Sequence, residues 1–278
     1  MTDYPIADYD DAYANGAHIA GAQDYPPRWS ALAADFRNAL ATAGRARLDL
    51  PYGSEPRQRV DLFLSEGEPR GLVVFVHGGY WKAFDKSVWS HLAAGPLAHG
   101  FAVAMPSYTL CPDARISGIS REIAAAIAFC ASEIAGPIHL TGHSAGGHLV
   151  TRMISGDALL PDAVLARIAG VVSISGVHDL RPVMRTAMND VLSIDAAEAL
   201  AHSPALLEPL RAIPVTAWVG AEERPEFVRQ NRILYEVWRG FQTPMAMVEE
   251  AGRHHFDVID GLADPSHGLC RAVVGAAS

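Results

Sequence analysis

Eight short apolar runs recur along the chain, and most of them are separated by Ala- and Leu-rich amphipathic stretches long enough to form a helix. This alternation is typical of βαβ units built around a largely parallel sheet. The first two runs are separated only by residues 51–58, too few for a crossover helix, so we expect them to form an antiparallel hairpin at the sheet edge. The runs are residues 46–50, 59–64, 71–76, 101–105, 138–141, 169–175, 214–219 and 244–249. The pattern predicts an α/β fold with a mostly parallel eight-stranded sheet and helices on both faces.

Helices are predicted between these strands, and we interpret residues 1–278 as a single domain. Residues 1–44 form an N-terminal arm and helix, which either lies over the functional site or packs simply as an arm. The segment 176–213 between the sixth and seventh strands is too long for a simple connection and contains three prolines. We therefore expect it to form a small cap-like insertion over the functional site. The predicted helices are residues 27–42, 86–99, 119–134, 145–156, 225–240 and 265–275.

Composition narrows the classes of function. Lys and Arg total 22 against 31 acidic residues, and a net charge of −9 disfavours nucleic acid as a partner. No apolar stretch reaches the roughly 18 residues of a membrane span, and the acidic first residues lack the basic region of a secretion signal. Cys111, Cys130 and Cys270 are odd in number and far apart, which favours a reducing, cytoplasmic location. Twelve histidines occur without metal-site spacing, so we expect neither a metal nor another cofactor.

The motif Gly142-His143-Ser144-Ala145-Gly146 stands directly after the apolar run IHLT and directly before a helix-forming stretch. A serine at such a strand-to-helix turn adopts a strained backbone that presents its hydroxyl as a nucleophile. The first amide of the helix, from Ala145, can stabilise an oxyanion. The alternative is an ordinary glycine-rich turn. The flanking strand and helix favour the catalytic interpretation.

The second half of an oxyanion hole is expected after the third strand, where the sequence reads His77-Gly78-Gly79-Tyr80-Trp81. Gly78 and Gly79 can turn their amides inward because no side chain blocks the approach. For His77 we favour a bracing role over that of a base. The two glycine motifs together predict attack on a carbonyl group.

A serine nucleophile needs an imidazole base and an anion that orients it, in the chain order serine, acid, histidine. The late loop 251–257 supplies adjacent His254 and His255, and their spacing alone leaves the choice between them open. The loop after the seventh strand offers two glutamates and no aspartate. We favour Glu223 as the acid, with Glu222 and Asp257 as alternatives.

The segments HGGYW, GHSAGGH and HHFDVI together resemble the arylformamidase (kynurenine formamidase) branch of the α/β-hydrolases. The resemblance is nearly full length and extends through residues 51–53 and 175–180. It implies an α/β-hydrolase fold with Ser144 as the nucleophile and His255 as the base. Glu223 stands where the family usually has aspartate.

The resemblance also implies that Tyr80 and Trp81, which replace the third glycine of the commoner HGGG loop, line a pocket for a planar amide; packing in the core is the alternative. The expected activity is hydrolysis of an aryl formamide, above all N-formylkynurenine, to an amine and formate through an acyl-enzyme. A carboxylesterase, a thioesterase or a hydrolase of another amide or enamide from N-heterocycle breakdown remains an alternative. A catalytically inactive binding protein is disfavoured, because it would have little reason to retain the whole set of catalytic residues. The expected partner is a small-molecule substrate, and a homodimer is the usual expectation for such an enzyme.

Overall fold

The computed structural model describes residues 5–276, and its centre is an eight-stranded sheet in the order β1-β2-β4-β3-β5-β6-β7-β8. β1 pairs antiparallel with β2 and β2 antiparallel with β4, whereas all other neighbours are parallel. The strands are β1 (Ala46–Pro51), β2 (Arg59–Phe63), β3 (Leu72–Val76), β4 (Ala102–Pro106), β5 (Ile138–His143), β6 (Ile168–Ile174), β7 (Val215–Gly220) and β8 (Met245–Glu250). The predicted sheet and its edge hairpin are therefore confirmed.

Ten α-helices accompany the sheet within the described residues. The long ones match the predicted helices, and several short ones were not predicted because their amphipathic pattern is too brief to recognise. They are α1 (Tyr9–Tyr13), α2 (Tyr25–Thr42), α3 (Ala94–Ala98), α4 (Ile116–Glu133), α5 (Ala145–Arg152), α6 (Asp162–Leu165), α7 (Asn189–Leu192), α8 (Ala196–Ala201), α9 (Pro225–Trp238) and α10 (Gly268–Val273).

The single helix predicted over residues 86–99 is wrong. The chain forms two short 3₁₀ turns, Lys86–Val88 and Ser90–Ala93, before α3 begins at Ala94. Trp89 between the two turns has φ −118° and ψ 1°, outside the helical region. Its ring packs against Trp29 of α2 with 4.7 Å between ring centroids. The helix is therefore interrupted at Trp89, where the backbone leaves the helical region and the side chain packs against α2.

Both faces of the sheet are buried, as the apolar runs predict. In β3 the side chains of Leu72, Val74 and Val76 join the hydrophobic cluster on the face covered by α4, α5 and α9. Val73 and Phe75 join a second cluster on the opposite face, which is covered by α2, α3 and α10. Alternate residues of one strand therefore serve two separate cores, and the sheet is held rigidly between helical layers.

The N-terminal arm is attached to the rest of the fold by buried polar contacts. The Tyr13 hydroxyl of α1 donates to Glu226 Oε1 of α9 at 2.7 Å, and Gln230 Nε2 donates to the same hydroxyl at 3.0 Å. The Tyr13 ring also packs edge-on against Phe227. The first four residues of the arm and the last two of the chain lie outside the described residues, and the single-domain interpretation stays a prediction. No helix between residues 5 and 276 combines the length and the apolar character needed to cross a membrane.

Candidate active site

Ser144 occupies a sharp turn between β5 and α5. Its φ of 56° and ψ of −117° lie in a region that side chains rarely adopt, and its N–H donates to Ile174 O of β6 at 2.8 Å. Two residues later a Cβ on Gly146 would lie only 1.9 Å from Val76 O of β3, so this position requires glycine. The serine is thus fixed at the carboxyl end of β5 by contacts with the strands on both sides.

The glycine loop after β3 lies directly beside Ser144. A Cβ on Gly78 would come within 3.0 Å of Ser144 Cβ, and Gly79 has a φ of 110°. His77 braces this loop, because its Nδ1–H donates to Gly78 O at 2.7 Å and its ring stacks on Tyr108 with 4.4 Å between centroids. Burial lowers the pKa of His77 to about 4, so the ring is neutral near pH 7. A neutral, stacked histidine suits the bracing role.

The loops after β7 and β8 bring a glutamate and a histidine together. His255 Nδ1 lies 2.6 Å from Glu223 Oε2, and both side chains are buried. Glu223 Oε1 accepts the Gly220 N–H at 2.9 Å and also the Ser175 hydroxyl. Because the carboxylate can only accept at Oε2, Nδ1 carries the proton and Nε2 is left as the proton acceptor. This arrangement orients an imidazole for use as a base.

The alternatives that the sequence left open are placed elsewhere. Glu222 is exposed, on the solvent side of the same turn. Asp257 Oδ1 accepts the His254 N–H at 2.8 Å, and His254 Nε2 contacts the Tyr25 hydroxyl at 3.1 Å. Asp257 and His254 are therefore engaged with each other, and His254 also contacts α2, whereas His255 and Glu223 form the buried pair.

Ser144 and His255 line one cavity of about 400 Å³ at the carboxyl edge of the sheet. Its wall is mainly apolar and includes six Phe, Tyr and Trp side chains. It is supplied by the two glycine loops, the N-terminal arm, α2, the loop after β8 and Met188 of the 176–213 insertion. The lining includes Gly78, Gly79, Tyr80, Lys82, Phe84, Trp89, His143, Ser144, His255 and Phe256, with Asp10, Tyr13, Asn15, Pro26 and Trp29 from the arm and α2. An aromatic wall around a serine and a histidine suits a flat apolar substrate.

Tyr80 and Trp81 point in different directions. Tyr80 lies on the cavity wall, where its hydroxyl donates to Tyr13 O at 2.5 Å and accepts from Asn15 Nδ2 at 3.1 Å. Trp81 is completely buried in the core and packs edge-on against His148. The expectation that Trp81 lines the pocket is therefore corrected: it forms part of the core beneath the loop. The contacts of Tyr80 also show that the arm forms part of the cavity wall.

The model of the alpha/beta hydrolase family matches residues 73–275, which include the serine, the glutamate and the histidine. The chain belongs to the alpha/beta hydrolase family. Kynurenine formamidase of Danio rerio is 29% identical over 82% of this hydrolase and 80% of its own length. Kynurenine formamidase of Drosophila melanogaster is 28% identical over 92% of each chain. These relatives confirm the predicted resemblance to the kynurenine formamidase branch.

A solved structure of a candidate thioesterase from Silicibacter sp. TM1040 is also similar to this hydrolase. The two sequences are 54% identical, and the structures superimpose with a TM-score of 0.91. The match covers 96% of this chain and 99% of the other. Fold and family are thus shown, whereas the names of the similar proteins point to more than one acyl substrate.

Two side chains of the hydrolase site were missed by sequence reasoning. His143 Nε2 lies 2.9 Å from His255 O, and the two rings are 4.5 Å apart, so His143 ties the serine turn to the histidine loop. Burial holds the pKa of His143 well below its usual value, so it donates as a neutral ring. Ser175, which contacts Glu223, has a left-handed φ of 52°. His143 stands in the serine motif and Ser175 opens the segment 175–180, but neither pattern indicates these contacts.

Proposed function

We propose that this hydrolase removes the formyl group from an aryl formamide, with N-formylkynurenine as the first substrate to test. The observation that carries the proposal is the His255 ring, which is held by buried Glu223 and lines a cavity rich in aromatic side chains together with Ser144 on its strained turn. The names of the curated relatives support the choice of substrate. The wall provides several rings, including Trp29, Trp89 and Phe256, against which an aryl group could stack.

In the proposed mechanism, Ser144 Oγ attacks the formyl carbon while His255 Nε2 takes the hydroxyl proton. The carbonyl electron pair moves to the oxygen, which accepts hydrogen bonds from two backbone N–H groups. One belongs to Gly79, in the loop that also contains Gly78, and the other belongs to Ala145. Ala145 begins α5, so the helix dipole adds to this stabilisation. Glu223 stabilises the imidazolium that forms.

The imidazolium then gives its proton to the amine nitrogen as the C–N bond breaks, and the arylamine leaves. A formyl ester remains on Ser144. Water attacks this ester with His255 as the base, and formate is released as the serine hydroxyl is restored. No cofactor enters any step.

The test is hydrolysis of N-formylkynurenine by the purified protein, followed as the release of kynurenine. Ser144→Ala should remove nearly all turnover, because the variant lacks the nucleophile while keeping the buried turn. Ser132→Ala removes a hydroxyl from the exposed side of α4, away from the cavity, and serves as the matched control. Formamide turnover that survives in Ser144→Ala would refute the mechanism.

Thioester hydrolysis is the second candidate, and the 54% identity to the candidate thioesterase of Silicibacter is the observation that favours it. The same serine and histidine serve esters and thioesters, whose leaving groups need less protonation than an amine does. Short acyl thioesters and p-nitrophenyl esters should be assayed beside the formamide. Ser144-dependent thioester turnover without formamide turnover would keep the mechanism and change the substrate.

A further inference from the structure

Lys82 is one of only two lysines in the chain, and the two have very different surroundings. Lys86 is buried, with its ammonium 2.7 Å from both Asp49 Oδ1 and Asp61 Oδ1. Lys82 is half-buried and lines the cavity that contains Ser144 and His255. Among residues 5–276, no carboxylate lies within ion-pair distance of the Lys82 ammonium. One lysine is thus neutralised by the fold, and the other brings a positive charge to the cavity.

A positively charged side chain is unusual in the lining of this cavity. Lys82 is the one Lys or Arg among the described residues that line the cavity. The one carboxylate of the wall, Asp10, accepts the Ala187 N–H through Oδ1 at 2.7 Å. The whole chain carries a net charge of −9 and repels an anionic group at long range, so Lys82 offers such a group a local attraction inside the cavity. The apolar wall strengthens any charge pair formed beside it.

The backbone of Lys82 is held close to the glycine loop. The N–H groups of Lys82 and Ala83 both donate to Gly79 O at 3.0 Å, so the lysine belongs to a tight turn that starts at the loop. Its Cα therefore has a defined position relative to Ser144, although its side chain is long and adaptable. A charged group on the substrate that meets this ammonium would help to fix where the scissile carbonyl lies.

We propose that Lys82 forms a carboxylate-binding subsite, so that the favoured substrates are aryl formamides whose amine portion carries a carboxylate. This inference rests on the proposed function and specifies the substrate class of the same site. A neutral aryl formamide such as formanilide offers no partner for the ammonium. The change in the preference for the carboxylate-bearing substrate when Lys82 is replaced therefore measures the contribution of Lys82.

The first test compares kcat/KM for N-formylkynurenine with kcat/KM for formanilide. In Lys82→Met the ratio should fall roughly tenfold, mainly through KM, because a charge-assisted hydrogen bond is lost. Lys82→Arg keeps the charge and should restore much of the ratio. Arg239→Met removes an equal charge from the exposed end of α9 and is the control for long-range effects. A ratio that is the same in Lys82→Met and wild type would overturn the subsite.

The second test measures binding without turnover, in the Ser144→Ala background. Reductive methylation with ¹³C-formaldehyde keeps the lysine charge and labels Lys82, Lys86 and the amino terminus, and comparison with Lys82→Arg assigns the Lys82 signal. Addition of 2-aminobenzoate should shift this signal, whereas aniline should not. No shift with 2-aminobenzoate, or an equal shift with aniline, would overturn the proposal. A carboxylate-dependent shift in a protein that hydrolyses no formamide would refute the proposed function and leave the subsite standing.

Discussion

Replacing Glu223 with Gln should abolish most turnover while the fold survives, because the change exchanges one carboxylate oxygen for an amide NH₂. Glu223 Oε1 accepts the Gly220 N–H at 2.9 Å and the Ser175 hydroxyl, so the carbonyl oxygen of a Gln would take that side. Its NH₂ would then face His255 Nδ1, which now lies 2.6 Å from Oε2. Two donors cannot share that contact, and the imidazole must move its proton to Nε2.

The loss follows from this change of tautomer. A ring that carries its proton on Nε2 cannot accept the proton of Ser144, and the charge that stabilises the imidazolium is also gone. In a serine protease with an Asp in this role, the corresponding Asp-to-Asn exchange costs about 10⁴-fold in kcat. We expect a loss of roughly 10³- to 10⁴-fold here, or about 4 to 5.5 kcal/mol of transition-state stabilisation. Glu223→Asp keeps the charge with a shorter reach and should lose less.

The assay is steady-state hydrolysis of the substrate whose turnover depends on Ser144, with near-UV circular dichroism to verify that each variant is folded. Glu222→Gln is the matched control, since Glu222 is the exposed neighbour in the same turn. A folded Glu223→Gln protein that keeps most of the wild-type kcat would refute the assignment of the acid. A comparable loss in Glu222→Gln would refute the geometric argument for choosing between the two.

Two further predictions concern stability. Gly146→Ala would place a Cβ 1.9 Å from Val76 O and should lower the free energy of unfolding by roughly 3 kcal/mol or more. Gly240→Ala is the control and should change this free energy little, because no atom lies within 4 Å of its new Cβ. Urea unfolding measures both variants, and equal midpoints would contradict the packing argument. For His77, the unfolded ring binds a proton with an ordinary pKa near 6.5, but the folded ring has a pKa of about 4. Stability should therefore fall as the pH drops below about 6.5, by about 2 kcal/mol from this residue at pH 5. His77→Gln should reduce the pH dependence by that amount, and unchanged dependence would show that the ring is not buried neutral.

The sheet and the serine turn could be predicted because their signals are local. A strand, a strained turn and a helix follow one another within the segment from Ile138 to Arg152, so the turn at Ser144 can be recognised from those residues alone. The glycines beside it are required by close backbone contacts, which leave a recognisable motif. The interrupted helix around Trp89 could not be predicted, because Trp89 packs there against Trp29 of α2, which is distant in sequence.

The choice of acid and base was less accessible because it depends on which side of a turn each residue faces. Glu222 and Glu223 are adjacent, as are His254 and His255, and neither pair differs in residue type. The member that turns inward is the one held by contacts between the two loops, with Glu223 bonded to Gly220 and His255. In this chain the resemblance to a family indicated His255 before the geometry did.

Which side chains form the wall of the cavity is even harder to predict from the sequence. Tyr80 and Trp81 both have left-handed φ values, of 49° and 54°, yet one side chain lies on the wall and the other in the core. Tyr80 is held there by Tyr13 and Asn15, which precede every strand and belong to no catalytic motif. The catalytic residues stand at strand ends, whereas part of the wall comes from this arm and from the Lys82 side chain. We therefore expect side chains of the arm and Lys82 to change without moving Ser144 or His255. Substrate choice should therefore depend on those segments, which is why the serine mechanism can be predicted from motifs and the substrate requires the assays above.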